Sequence, residues 1–173
     1  MSPDLPELIW PAYHRLSVSR PIPACYFDKP PAKFVSLVVE IVKQESPVHL
    51  DVIIERLAEL GEVAERDRRV GRVAMGATYH ASKDRLVSEQ GDYWLAIEKP
   101  VQARDRRSVA GLARAQHYIS DLEILAGVRK VITYCPTRTV GEWMEITSRS
   151  FGFDELRASF GRAIEAQIKA AIA

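Results

Sequence analysis

The chain has 173 residues, 47% apolar and 27% charged, which suits a soluble globular protein with one ordinary domain or two small ones. Basic and acidic residues number 24 and 23, so the formal charge of +1 excludes a uniformly cationic coat for nucleic acid and leaves only local clustering of charge. No apolar run reaches the roughly 20 residues needed to span a bilayer, and Met1-Ser2-Pro3-Asp4-Leu5-Pro6 lacks the basic and apolar regions of a signal peptide. Cys25 and Cys135 lie far apart, which fits a reducing compartment, and the expected location is cytoplasmic.

Residues 1–31 hold Pro3, Pro6, Pro11, Pro21, Pro23, Pro30 and Pro31, which disfavour a long helix or a central strand. Trp10, Tyr13, Tyr26 and Phe27 are too apolar for a free linker. The segment is expected to be an extended arm on the body, anchored by Trp10 and Tyr13; the rival is a tail that docks on a neighbouring domain.

Lys33 to Glu45 reads as a helix, with Phe34, Leu37, Val38, Ile41 and Val42 on one stripe and Ser46-Pro47 as its stop. Val48-His49-Leu50 is long enough only for a short strand. Asp51 is the expected N-cap of a second helix carrying Ile53, Ile54, Leu57 and Leu60, with Gly61 as its end. A third helix is expected from about Glu65 to about Ser82. At 100° per residue, Val70, Val73, Ala74, Ala77 and Ala81 share one side; Arg68, Arg72, Met75 and Tyr79 lie opposite, with Arg69 and Lys83 at the border. Leu86-Val87 and Tyr93-Trp94-Leu95 read as a hairpin.

Residues 99–117 show no apolar period and carry Arg104, Arg106, Arg107 and Arg114, so they read as a basic inter-domain linker. From Ser120 the helical pattern resumes: one helix through Leu122, Ile124, Val128 and Ile132, one from Glu142 to Phe151, and a last one capped by Asp154. The halves repeat at an offset of roughly 90 residues, Gly71-Arg72 falling on Gly161-Arg162 and Leu60-Gly61 on Phe151-Gly152 within one residue. The fold class expected is mainly α (α+β), with tandem winged-helix or helix-turn-helix repeats and a short β-hairpin wing in the first copy. The expected divisions are an arm over 1–31, a winged-helix domain over 32–98, the linker over 99–117, and a helix-turn-helix domain over 118–173 whose wing is absent or truncated.

Several pieces occur in a consistent order: Ile41-Val42-Lys43-Gln44-Glu45-Ser46-Pro47-Val48-His49-Leu50-Asp51, Arg69-Val70-Gly71-Arg72-Val73 and Gly91-Asp92-Tyr93-Trp94-Leu95. Arg104-Asp105-Arg106, Ile119-Ser120-Asp121-Leu122-Glu123-Ile124 and Arg149-Ser150-Phe151-Gly152-Phe153 follow. Through them the chain, from Phe34 to Ile168, resembles the domain of unknown function at the C-terminal end of large superfamily-one helicases that carry a restriction-endonuclease-like domain. The resemblance implies a tandem winged-helix tail attached to helicase and nuclease machinery of a defence or DNA-processing kind. It supplies no catalytic residues to carry over.

The chain has no Walker-type phosphate loop and no acidic-x-Lys tripeptide for a restriction-type nuclease. His14, His49, His80 and His117 are scattered and none sits at metal-ligand spacing with a cysteine; His49 reads as a cap or packing residue of the second helix. No enzyme activity, cofactor or metal is therefore expected. The expected activity is duplex-DNA binding through the third helix and wing: Arg68, Arg69, Arg72 and Tyr79 on the helix, Lys83 and Arg85 at the approach to the wing, and Arg104, Arg106 and Arg107 from the linker. Against it stands a solvated face on which Glu62, Glu65 and Asp67 pair with the arginines. The alternative function is a protein-interaction or homodimer surface using Trp10, Met75 or Trp143.

Overall fold

A computed structural model describes residues 5–6, 8–17, 21–28, 30, 33–64, 67–83, 86–89, 92–97 and 100–173. The protein is mainly helical: α1 (Lys33–Glu45), α2 (Leu50–Leu60), α3 (Arg68–Ala81), α4 (Asp121–Tyr134), α5 (Val140–Ser150) and α6 (Ala158–Ile172), with strands β1 (Val48–His49), β2 (Leu86–Glu89) and β3 (Tyr93–Ala96). No helix among the described residues is long and apolar enough to cross a membrane. Two compact units divide the chain. His14–Lys99 is the hairpin unit, and Met1–Tyr13 with Pro100–Ala173 is the arm unit.

In the hairpin unit, α1 buries Phe34, Val38, Ile41 and Val42 from its predicted stripe and also Val39. It packs against α2 and α3, whose buried residues include Ile53 and Leu57 on α2 and Val70, Val73, Ala74, Ala77 and Ala81 on α3. The small side chains of α3 let neighbouring helices approach closely. The strands form one antiparallel sheet in the order β1-β3-β2, with Val48 opposite Trp94 and Leu86 opposite Ala96. The Ser46 hydroxyl accepts the Ala96 N–H at 3.2 Å, which ties the end of α1 to this sheet.

Local caps set two of the helix starts. His49, read from sequence as a cap or packing residue, caps α2 in place of Asp51: its Nδ1 accepts the Asp51 N–H at 3.1 Å, while Asp51 sits in the first turn, where a carboxylate complements the helix dipole. Helix α3 starts at Arg68, where the Asp67 carboxylate accepts the Arg69 N–H at 2.9 Å; the start expected near Glu65 lies outside the described residues. Helix α6 starts at Ala158; its N-cap is Arg157, without a side-chain cap, and Asp154 lies in the preceding turn.

The internal repeat has one constant offset through the second and third helices of each copy. Leu50 corresponds to Val140, Leu60 to Ser150 and Arg68 to Ala158. The turn hydrogen bonds match in the same register: Gly61 N–H to Leu57, Glu62 to Glu59 and Val63 to Ala58 in one copy, and Phe151 to Thr147, Gly152 to Arg149 and Phe153 to Ser148 in the other. Gly61 therefore pairs with Phe151, not Gly152, which corrects the sequence alignment by one residue. The left-handed position falls on Glu62 (φ 51°) and Gly152 (φ 89°). Gly61 serves a different end: a Cβ there would lie 2.3 Å from Phe27 Cε2, so its absence makes room for that ring.

The arm unit revises the predicted domain divisions. Of the expected linker, residues 100–117 are described, and they are not free, because Ala103, Arg104, Arg106, Val109 and Ala113 are all buried. The N-terminal arm lies extended, bonded to them: Tyr13 N–H donates to Asp105 O at 2.8 Å and Asp105 N–H to Pro11 O at 2.9 Å. Proline lacks a donor but keeps its carbonyl, so Pro11 suits this accepting role. Trp10 is 4% exposed and meets Phe151 edge-on at 4.5 Å between ring centroids. Gly127 of α4 admits the indole, since a Cβ there would lie 2.7 Å from it. The α4–α6 core of Ile124, Val128, Ile146, Phe160 and Ile164 closes beneath.

Candidate nucleic-acid interface

The two sides of α3 differ in kind. The side opposite the core presents Arg68, Arg72, Met75, Gly76, Tyr79 and His80, all exposed, and Lys83 follows just beyond the helix end. From Arg68 to Lys83 the stripe runs about 22 Å at 1.5 Å per residue. Met75 is 53% and Tyr79 67% exposed, and the Tyr79 and His80 rings meet edge-on at 5.9 Å. Neither Arg68 nor Arg72 has an ion-pair partner among the described residues. These positions were legible from the helical period, except Gly76 and His80, which the sequence reading missed although the same 100° rotation places them beside Arg72 and Tyr79.

Arg69 is differently placed. Its guanidinium bonds Asp67 through Nη2 at 2.6 Å and Asp28 through Nη1 at 3.1 Å. The side-chain hydrogen bond to Asp67, then that to Asp28, raises the arginine pKa further, and the bond from Arg69 holds the Asp67 carboxyl below its usual range. Two carboxylates therefore flank the N-terminal end of α3, and Arg69 offers phosphate little unshared charge. Asp28 is 41 positions away in sequence, so no local pattern revealed this pair. Arg85 lies outside the described residues.

Arg104 and Arg106, expected on a basic linker, are instead 7% and 1% exposed. Arg104 reaches Glu123 Oε2 through Nη2 at 2.8 Å and Arg106 reaches the same oxygen at 2.7 Å, while Arg106 Nη1 also donates to Ala113 O. Both guanidiniums stand over the Tyr13 ring, 4.5 and 4.6 Å from its centroid. Two cations thus share one carboxylate, and the electron-rich face of the ring offsets part of the surplus charge. Burial opposes the ionised form of Glu123, but the nearby Arg104 and Arg106 charges outweigh it and hold the carboxyl below its usual range. These arginines knit the arm to α4 and are withdrawn from any phosphate. Arg107 is exposed, and its guanidinium grips Asp105 at 2.7 Å.

Two open grooves lie on the arm unit around Phe153 and Asp154. The larger, about 460 Å³, is lined by Gly111, Arg114, Gln116, Glu155 and Arg157 among others. Arg114 stacks over Phe153 at 4.8 Å and donates to Gly152 O, so this arginine braces the α5–α6 turn. No group of three or more His, Cys, Asp and Glu among the described residues would hold a metal ion. Of the three apolar contacts considered for protein binding, Trp10 is buried and Trp143 is half-buried, donating to Cys135 O at 2.8 Å; only Met75 is exposed.

One family model matches. Residues 26–64 are similar to a family described as Protein of unknown function (DUF3320). The match runs from Tyr26 through α1, β1 and α2 and stops before α3, so the part of the chain it covers supports the basic face without containing it. No curated protein and no solved structure matches the chain.

Proposed function

We propose that this protein is a non-catalytic, duplex-DNA-binding module of a helicase- or nuclease-type DNA-processing or defence system, working in the cytoplasm. The observation that carries the reading is the α3 face, where Arg68, Arg72, Tyr79 and Lys83 are exposed opposite a small, buried side. The hairpin unit has the element order of a winged helix, with α3 as the reading helix and β2–β3 as the wing. Such a helix lies in the major groove, its arginines reaching base edges or phosphate. The tie to helicase and nuclease machinery rests on the resemblance in sequence, and the similarity to a family of unknown function is compatible with it.

The contact set is narrower than the charge pattern alone implies. It comprises Arg68, Arg72, Tyr79 and Lys83, with Arg69 a minor member because Asp67 and Asp28 hold it; Arg85 lies outside the described residues, and Arg107 belongs to the other unit, where it pairs with Asp105. Arg104 and Arg106 have no part in it. In the second copy, Lys169 pairs with Glu165 at 2.7 Å on α6, a mixed face that attracts phosphate weakly.

A second reading is a protein-binding or dimerisation surface, favoured by Met75 and Tyr79 lying exposed on one helix face. Titrating the full chain into a fluorescent duplex at several salt concentrations, with light scattering alongside, separates the two. DNA binding gives an affinity that falls steeply with salt. A stable dimer with no salt-dependent DNA affinity contradicts it.

A further inference from the structure

We propose that α3 meets its duplex along the middle of the helix, with Gly76 as the point of closest approach; this rests on the α3 reading given above. A glycine inside an exposed helix costs about 1 kcal/mol relative to alanine. Three other glycines answer to packing, since a Cβ would strike Phe27 from Gly61, Trp10 from Gly127 and Arg107 from Gly152; Gly141, like Gly76, meets nothing, but it stands in the first turn of α5 rather than inside a helix. At Gly76 a Cβ would meet nothing within 4 Å, so no internal packing accounts for it.

What surrounds Gly76 is the contact set. Arg72 lies one turn before it, and Tyr79 and His80 one turn after, all exposed. Without a Cβ the helix backbone forms a shallow notch between these side chains, which lets another backbone approach closely. The N-terminal end of the helix is less suited to a polyanion, because Asp67 and Asp28 stand there beside Arg69. The ligand is therefore a double-stranded nucleic acid whose groove admits the helix, its edge resting on Gly76 while Arg68 and Arg72 on one side and Lys83 on the other reach phosphates. Binding by groove insertion, rather than by charge alone, follows from that placement.

Gly71 supplies the control. It lies off this stripe, is half-buried, and a Cβ there would make only an ordinary contact, 3.9 Å from Ile54 Cδ1. The experiment measures affinity of the full chain, wild type and Gly71→Ala, Gly76→Ala and Gly76→Leu variants, for a mixed-sequence duplex of about 20 base pairs. Both alanine variants are expected to melt at a higher temperature, because alanine is the better helix former. Gly76→Ala is expected to bind roughly tenfold more weakly and Gly76→Leu more weakly still, with an unchanged salt slope because no charge is lost. Gly71→Ala is expected to bind like wild type. Wild-type affinity in Gly76→Ala, while Arg68→Ala with Arg72→Ala binds weakly, overturns the close approach and leaves the α3 reading standing. Failure of wild type to bind the duplex, or wild-type binding by the double arginine variant, overturns both.

Discussion

Arg106 and Glu123 face each other at 2.7 Å with side chains 1% and 0% exposed, and Arg104 shares the same carboxylate. Removing one member of such a group leaves an uncompensated buried charge, at a cost of about 3–5 kcal/mol. Glu123→Ala is therefore expected to lower the urea midpoint strongly. Because the folded-state pKa of Glu123 lies below its unfolded value near 4.3, its contribution is complete above that value and is lost as pH falls below it. Acid titration of unfolding should show a steeper decline in wild type than in Glu123→Gln below about pH 4.

The left-handed turn position differs between the two copies, and the consequence is measurable. Gly152→Ala places a Cβ 2.5 Å from Arg107 Cγ and 3.1 Å from the Arg107 backbone nitrogen at a φ of 89°, and is expected to destabilise by about 2 kcal/mol. Glu62 already pays for its φ of 51°, so Glu62→Gly is expected to be neutral or to stabilise by up to about 1 kcal/mol. Thermal melts of the two variants should move in opposite directions, or only the first should move.

Arg69 tests whether pairing or mere presence decides a cation's value to the ligand. With Asp67 and Asp28 bound to it, Arg69→Ala should weaken duplex binding by less than Arg72→Ala does. Asp28→Asn, which loosens one of these partners, should strengthen binding modestly at low salt and not at high salt. Anisotropy titrations at two salt concentrations read both effects.

The helices and the hairpin were legible because their side chains follow simple periods. Val70, Val73, Ala74, Ala77 and Ala81 fall on one side of α3 at helical spacing, and the structure buries all five. Arg68, Arg72 and Tyr79 followed as the opposite face. What was not legible depended on distant partners. Arg104 and Arg106 carry no apolar period, so they looked solvated; their placement depends on Glu123, 19 and 17 residues onward, and on Tyr13 from the arm. The same holds for Arg69, whose second carboxylate comes from Asp28. The one-residue slip in the repeat came from matching Gly61 to Gly152: Gly61 ends α2 as expected and makes room for Phe27, whereas Gly152 stands one position further on, at the left-handed residue.

The most direct test of the account is the salt dependence of duplex binding by Arg68→Ala with Arg72→Ala beside the wild-type chain. Each arginine that neutralises a phosphate contributes about one to the slope of log affinity against log salt. The account predicts weaker binding by the double variant and a slope smaller by about two, with circular dichroism and melting unchanged because both side chains are exposed. An unchanged affinity and slope would contradict the assignment of α3 as the nucleic-acid-binding helix.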